Sequence, residues 1–89
     1  PPYYISKNRI ELSDKNLIDK IFTFVKKKYS NEKITDIDGV KIDFDSRRSW
    51  VHLRKSNTEP IIRVYSEAPT IEQADTLAKM IIDDINKQL

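Results

Sequence analysis

Cysteine is absent from the 89-residue sequence, and glycine occurs only once. The lack of cysteine excludes disulfides, thiolate chemistry and zinc sites that use sulfur, and it is typical of a reducing compartment. No apolar run approaches the ~20 residues that cross a bilayer, and the first residues lack the basic and apolar regions of a signal peptide. These absences predict a cytoplasmic protein that has no membrane partner.

A large excess of one charge is also lacking. The chain has 16 Lys and Arg against 14 Asp and Glu, a net charge of +2, so the charge does not indicate nucleic acid. A 38% hydrophobic fraction in a chain of one-domain length indicates an ordered globular domain. A domain of this size buries only ~60 to 65% of its unfolded surface, so a deep catalytic cleft is not expected.

The apolar pattern predicts two helices. Residues 1–12 begin with two prolines and show no helical period, so we expect an extended linker from a missing preceding domain, with residues 13–89 as the folded domain. Ser13 is the expected cap of a first helix, and Thr70 with Gln73 fits the capping box of a second. The first helix has apolar residues at steps of three and four: Leu17, Ile18, Ile21, Phe22, Val25 and Tyr29.

Four strand-like runs lie between the helices, at residues 33–37, 40–44, 49–54 and 61–67. Asp38-Gly39 between the first two predicts a type I′ turn, in which both central residues have positive φ. Aliphatic and polar residues alternate in the later runs, so one sheet face is apolar and the other mixed. The expected fold is a two-layer α+β domain of order α-β-β-β-β-α, an antiparallel sheet with both helices on its apolar face.

The segment RKSNTEP, residues 54–60, joins the last two strands and has the composition of a phosphate-binding loop. A phosphate dianion needs several converging donors, at least one of them charged, in a backbone that closes around it. Arg54 offers a planar fork, Ser56 and Thr58 offer hydroxyls, and the amides of residues 56–58 point inward if the turn is tight. The sequence allows equally a polar hairpin in which Arg54 pairs with Glu59 and nothing is bound.

The sequence reads D-G-V-K-I-D-F at 38–44, W-V-H-L-R-K-S-N-T-E-P at 50–60 and I-I-R-V-Y-S-E-A at 61–68. These runs resemble the C-terminal domain of the α-D-phosphohexomutases, the family of phosphoglucomutase, phosphomannomutase and phosphoglucosamine mutase, and the resemblance covers essentially the whole chain. It implies a fold similar to one half of TATA-binding protein. It also implies a four-domain enzyme with a phosphoserine in the first domain, a Mg²⁺ site in the second and a sugar-reading loop in the third.

The resemblance assigns four residues to the grip on the non-transferring phosphate of a hexose phosphate: Arg54, Ser56, Asn57 and Thr58. It adds three supporting positions: Lys55, Glu59 and Arg63. Arg63 is expected to make little direct contact, because alternation puts it on the mixed face. Asn57 stands where the family usually has glycine, and asparagine tolerates the left-handed conformation expected there. The chain contains neither the catalytic serine nor the metal ligands, so we expect no catalytic or metal residue in it and no activity without the other three domains.

Other residues suggest other functions. A single histidine, His52, without a paired carboxylate is more often structural than catalytic. The four aspartates at 36, 38, 43 and 45 do not have calcium-loop spacing, and no metal site is expected. The alternative function is a nucleic-acid-binding module, whose open sheet face would carry Trp50, Arg54, Arg63 and Tyr65. The glycine-aromatic signature of RNA-binding sheets is missing from the sequence. A structural domain with a loop that binds nothing is the third possibility.

Overall fold

Five strands form one antiparallel sheet in the computed structural model, which describes residues 3–89; Pro1 and Pro2 lie outside the described residues. In chain order the elements are β1 (Tyr4–Glu11), α1 (Leu17–Lys28), β2 (Lys33–Thr35), β3 (Val40–Phe44), β4 (Ser49–Lys55), β5 (Ile61–Ala68) and α2 (Ile71–Asn86). The strand order is β1-β5-β4-β3-β2. The predicted α+β class and antiparallel sheet are confirmed, and the number of strands is five rather than four.

The additional strand comes from the segment that was expected to be a linker. β1 pairs with β5 over its whole length, from Tyr4 opposite Ala68 to Glu11 opposite Ile61. Its inward positions include two polar residues, Ser6 and Asn8, joined by a 2.9 Å hydrogen bond. Those polar residues interrupt the alternation of apolar residues by which the other strands were predicted. The extended conformation expected for this segment is therefore that of a sheet strand.

The two helices begin differently. Thr70 Oγ1 accepts the amide of Gln73 at 3.1 Å, which confirms the predicted cap of α2. The predicted Ser13 cap of α1 is wrong, because α1 starts at Leu17 behind a turn in which Asp14 Oδ1 accepts the amide of Asn16. Among residues 3–89, neither helix has the length and apolar character of a membrane span.

The core lies between the helices and one face of the sheet. Ten aliphatic side chains larger than alanine are at most 1% exposed: Ile21, Val25, Val40, Ile42, Val51, Leu53, Ile62, Val64, Ile81 and Ile85. They come from α1, β3, β4, β5 and α2, so the predicted apolar stripes do meet. Burying them supplies much of the hydrophobic driving force for the fold.

Tyr29 connects the end of α1 to α2 at the edge of this core. Its hydroxyl donates a hydrogen bond to the Asp84 carboxylate, and its ring packs edge-on against Phe44 at 5.9 Å. Burial, and then the hydrogen bond and charge of Asp84, raise the pKa of Tyr29 above its usual value. The phenol therefore keeps its proton in the folded state well into alkaline conditions.

Candidate functional site

Ser56 closes the loop between β4 and β5 with its side chain. Its Oγ accepts the amides of Thr58 and Glu59, each at 3.3 Å. Its own amide donates to the carbonyl of Ile61 at 3.2 Å and continues the sheet ladder by one residue. A serine hydroxyl that accepts amides two and three residues ahead is a common way to make a tight turn.

The left-handed conformation expected at Asn57 is not found. Among the non-glycine residues that the structure describes, Arg48 alone has a positive φ, and it lies at the other end of the sheet. The loop needs no left-handed residue, because the Ser56 hydroxyl accepts the amides of Thr58 and Glu59 that would otherwise have no hydrogen-bond partner in the turn. Since the amides of Ser56 and Thr58 are bonded within the protein, the expected inward cluster of free amides at 56–58 is not formed in this conformation.

Three arginines stand side by side on the open face of the sheet, next to this loop. Arg54 of β4 lies opposite Arg63 of β5, and Arg63 lies opposite Arg9 of β1. All three are exposed. Neighbouring strands are ~4.8 Å apart, and like charges directly opposite one another destabilise a sheet. The arrangement therefore concentrates positive charge at the end of the sheet where the loop begins.

Two members of this row are not among the four residues that the resemblance assigns to the phosphate grip. Arg63 was expected to have little contact because it is on the mixed face, yet Arg54 is on that same face and directly opposite it. Arg9 was missed because its segment was read as a linker; its position one residue before the buried Ile10 was the available signal. Lys55, in contrast, follows Arg54 in the strand and lies on the opposite, helix-facing side, near Phe22 of α1. The structure thus separates Lys55 from the arginine row.

The ion pair of Arg54 differs from the one in the polar-hairpin alternative. Its Nη2 atom lies 3.0 Å from Asp38 Oδ2, and Glu59 is not its partner. Arg9 pairs with Glu11 at 3.1 Å, and Arg63 makes no ion pair within residues 3–89. The outer two arginines therefore each have an exposed carboxylate partner, and the central one has none among the described residues.

The loop that carries Asp38 differs from its prediction. β2 ends at Thr35, which pairs with Lys41, so the connection is longer than two residues. Only Gly39 has a positive φ, of 68°, and the predicted type I′ turn is therefore wrong. The loop also approaches β4 closely. A Cβ atom on Gly39 would lie 2.0 Å from the carbonyl oxygen of Leu53, so this position requires glycine.

Two other candidate side chains on the open face, Trp50 and His52, contact polar neighbours. Trp50 Nε1 donates to Glu67 Oε2 at 2.6 Å, and the Lys41 ammonium lies 5.1 Å from the centre of the indole ring. His52 Nε2 lies 2.6 Å from the carbonyl oxygen of Asp38, so its ring holds the neighbouring loop. Trp50, His52 and Tyr65 are half-buried.

The carboxylates do not gather into a cluster. Three of the four aspartates considered in the sequence pair with cations: Asp36 with Lys26, Asp38 with Arg54 and Asp43 with Lys41. In the part of the chain that the structure describes, no three His, Asp or Glu side chains converge as ligands. The residues present therefore do not fit a Mg²⁺ ion.

The sequence matches known proteins over most of its length. Residues 9–84 match the family described as the phosphoglucomutase/phosphomannomutase C-terminal domain. A probable phosphoglucosamine mutase of Pyrococcus horikoshii is 35% identical over 82 residues, which cover 89% of this chain and 18% of that protein. A phosphoglucomutase/phosphomannomutase of Thermococcus kodakarensis is 42% identical over 76 residues, or 83% of this chain and 16% of that protein. A phosphopentomutase of the same organism is 32% identical over 92 aligned residues, which cover 98% of this chain and 20% of that protein.

These matches place the two-layer domain among the phosphosugar mutases. Within them, the chain belongs to the family of phosphoglucomutase/phosphomannomutase C-terminal domains. It spans 16 to 20% of the length of these relatives.

Proposed function

We propose that this chain is the phosphate-binding domain of a phosphosugar mutase, and that its loop holds the phosphate of a hexose phosphate that is not being transferred. The observation that carries the proposal is the position of Arg54. It is the second-to-last residue of an ordered strand, two positions before the Ser56 that closes the turn, and it stands in register with Arg63. Asn57 and Thr58 are exposed on the same turn, where their side chains can donate to a phosphate oxygen.

The names of the relatives support a phosphate site rather than a sugar site. They specify glucosamine, glucose or mannose, and pentose, while the phosphate is common to all. A domain that reads the phosphate serves each of these reactions, and the choice of sugar is assigned to the rest of the enzyme. Each charge-assisted hydrogen bond contributes ~1.5 to 3 kcal/mol, so three or four of them give useful but modest affinity at an exposed site.

In the whole enzyme, the resemblance implies two phosphoryl transfers. A phosphoserine gives its phosphoryl group to one sugar oxygen, the resulting bisphosphate reorients, and the other phosphoryl group returns to the serine. This domain would hold the phosphate that stays in place in each half-reaction. Holding one end of the substrate converts binding energy into orientation of the reacting end. The resemblance assigns the phosphoserine to the first domain and the Mg²⁺ site to the second.

An amide NMR titration of the chain tests the proposal. Glucose 1-phosphate and inorganic phosphate should shift the signals of residues 54–58, while glucose should shift none of them. Arg54→Ala should weaken phosphate binding by at least about tenfold, because it removes a charge-assisted pair. The matched control is Arg47→Ala, since Arg47 borders a separate cavity at the opposite end of the sheet, with Ala68 and Met80.

The same titration includes a short single-stranded RNA. The half-buried Trp50, already bonded to Glu67, does not favour stacking with a base. Shifts over Trp50 and Tyr65 with RNA, without a response of the loop to phosphate, would contradict the proposed function. A loop that responds to no anion at millimolar concentration would contradict it as well.

A further inference from the structure

The loop that carries Asp38 is held firmly against the strand that carries Arg54. The carbonyl oxygen of Asp38 lies 2.6 Å from His52 Nε2, and Gly39 lies directly on the backbone of Leu53. These main-chain contacts put the Asp38 side chain over the end of β4, whatever its charge. The 3.0 Å contact between Asp38 Oδ2 and Arg54 Nη2 follows from that placement.

The ion pair adds little to the stability of the fold. The side chains of Arg54 and Asp38 are 49% and 66% exposed, and exposed pairs of this kind contribute only weakly. Asp36, two residues earlier on the same loop, pairs with Lys26 of α1 at 3.4 Å and already ties the loop to the helix layer. The contact with Arg54 thus places a carboxylate where the proposed phosphate would bind.

We propose that Asp38 is a displaceable counter-anion for Arg54. Without phosphate the carboxylate occupies one side of the guanidinium, and bound phosphate takes its place. The inference rests on the proposed function and adds its regulation: the competing carboxylate lowers the affinity for phosphate and speeds its release. A dianion and a carboxylate repel each other when they share one guanidinium, so the incoming phosphate expels the weaker ligand.

A pair of isosteric variants isolates the charge of Asp38. Asp38→Asn removes the carboxylate charge but keeps the side-chain shape, the carbonyl bond to His52 and the position of Gly39. Asp36→Asn removes the same charge from the same loop, next to Lys26 rather than Arg54. We expect Asp38→Asn to bind inorganic phosphate about two- to fivefold more tightly than the unmodified chain, the range that one exposed ion pair supports, and Asp36→Asn to bind as the unmodified chain does.

The carboxyl carbon of Asp38 gives a second readout that a purely structural role would leave unchanged. In the unmodified chain its ¹³C signal should move as phosphate saturates the loop, together with the side-chain Nε–H signal of Arg54. The Asp36 signal should stay in place. A stationary Asp38 signal at saturation would mean that Arg54 holds both anions and would overturn the inference.

The outcomes separate this inference from the proposed function. Phosphate shifts at residues 54–58 with equal affinity in Asp38→Asn and Asp36→Asn would overturn the counter-anion and leave the phosphate site standing. Weaker binding by Asp38→Asn would overturn it too, since the carboxylate would then be orienting Arg54 for its ligand. No response in any of the three chains would contradict both proposals, because removal of a competitor should have revealed any binding site.

Discussion

Arg63 is the residue at which function and stability are expected to conflict. It stands between Arg54 and Arg9, and it has no ion pair within residues 3–89. Two like charges directly opposite a third are unfavourable in a sheet unless an anion lies over them. Such a row is expected to cost stability, and the proposed phosphate would offset that cost.

We therefore expect Arg63→Gln to raise the free energy of unfolding by about 0.2 to 1 kcal/mol, while it weakens binding of inorganic phosphate several-fold. Urea denaturation and the amide titration measure the two effects on the same sample. Arg47→Gln is the control for binding, because Arg47 lies at the opposite end of the sheet and should leave phosphate binding unchanged. Stabilisation without loss of binding would show that Arg63 takes no part in the site.

Tyr29 should give the domain an alkaline limit. Its pKa is raised in the folded state, chiefly by burial and then by Asp84, relative to about 10 in the unfolded chain. Below pH 10 both states keep the proton and the stabilisation is complete. As the pH rises above 10, the unfolded chain loses the proton while the folded chain keeps it, so stability falls.

Tyr29→Phe tests whether stability falls with rising pH as the raised pKa requires. The variant should be less stable than the unmodified chain at pH 7 by ~1.5 to 3 kcal/mol, because a hydrogen bond to a carboxylate is lost. The difference between the two chains should shrink between pH 9.5 and pH 11. Urea unfolding at several pH values measures it, and a difference that stays constant or grows with pH would contradict the raised pKa.

At the scale of elements, the first turns of the two helices differ: Thr70 caps α2 as its sequence predicts, whereas Ser13 does not cap α1. Thr70 Oγ1 accepts the amide of Gln73, whereas Ser13 is exposed and precedes a turn built by Asp14. Thr70→Ala should cost about 1 kcal/mol of stability, and Ser13→Ala should cost almost nothing. Thermal or urea unfolding of both variants checks the contrast, and equal losses would mean that α1 is capped after all.

The elements that were predicted correctly are those with several agreeing signals. α2 has a cap and a long apolar stripe, β3 alternates throughout, and β4 and β5 alternate over residues 49–53 and 62–68. β1 was not predicted as a strand because Ser6 and Asn8 occupy inward positions, so only Ile10 shows the period. The turn at Gly39 was mispredicted because its conformation depends on Leu53 of a distant strand, and no local pattern encodes that contact.

The candidate site was predictable in its residues but not in its contacts. Arg54 and Ser56 were identified by their chemistry, and both lie where the loop meets the sheet. The partner of Arg54 was not, because Asp38 is sixteen residues earlier in the chain and reaches Arg54 only through the pairing of β3 with β4. Arg9 reaches the row only through β1, which was itself missed.

At the scale of the whole molecule, β1 decides where the folded unit starts. Leu12 and Ile10 are 7% and 6% exposed, and the amide of Leu12 donates at 2.8 Å to the carbonyl of Pro60, the last residue of the candidate loop. A hinge for this domain is therefore not expected within residues 4–11, which are paired throughout with β5. Any rotation of the domain in a larger enzyme would carry β1 with it.

A chain of residues 13–89 is expected not to fold stably. Without β1, strand β5 would become an open edge of the sheet. The loss of the buried Ile10 and Leu12 should cost about 2 to 5 kcal/mol for each side chain. The total stability of a domain is only about 5 to 15 kcal/mol. Amide NMR and urea unfolding of residues 13–89 should show collapsed dispersion and no cooperative transition. A chain of residues 4–89, which keeps all of β1, is the control and should unfold as the full chain does. If residues 13–89 unfolded cooperatively at the same urea midpoint, β1 would be an accessory to the sheet and this prediction would be wrong.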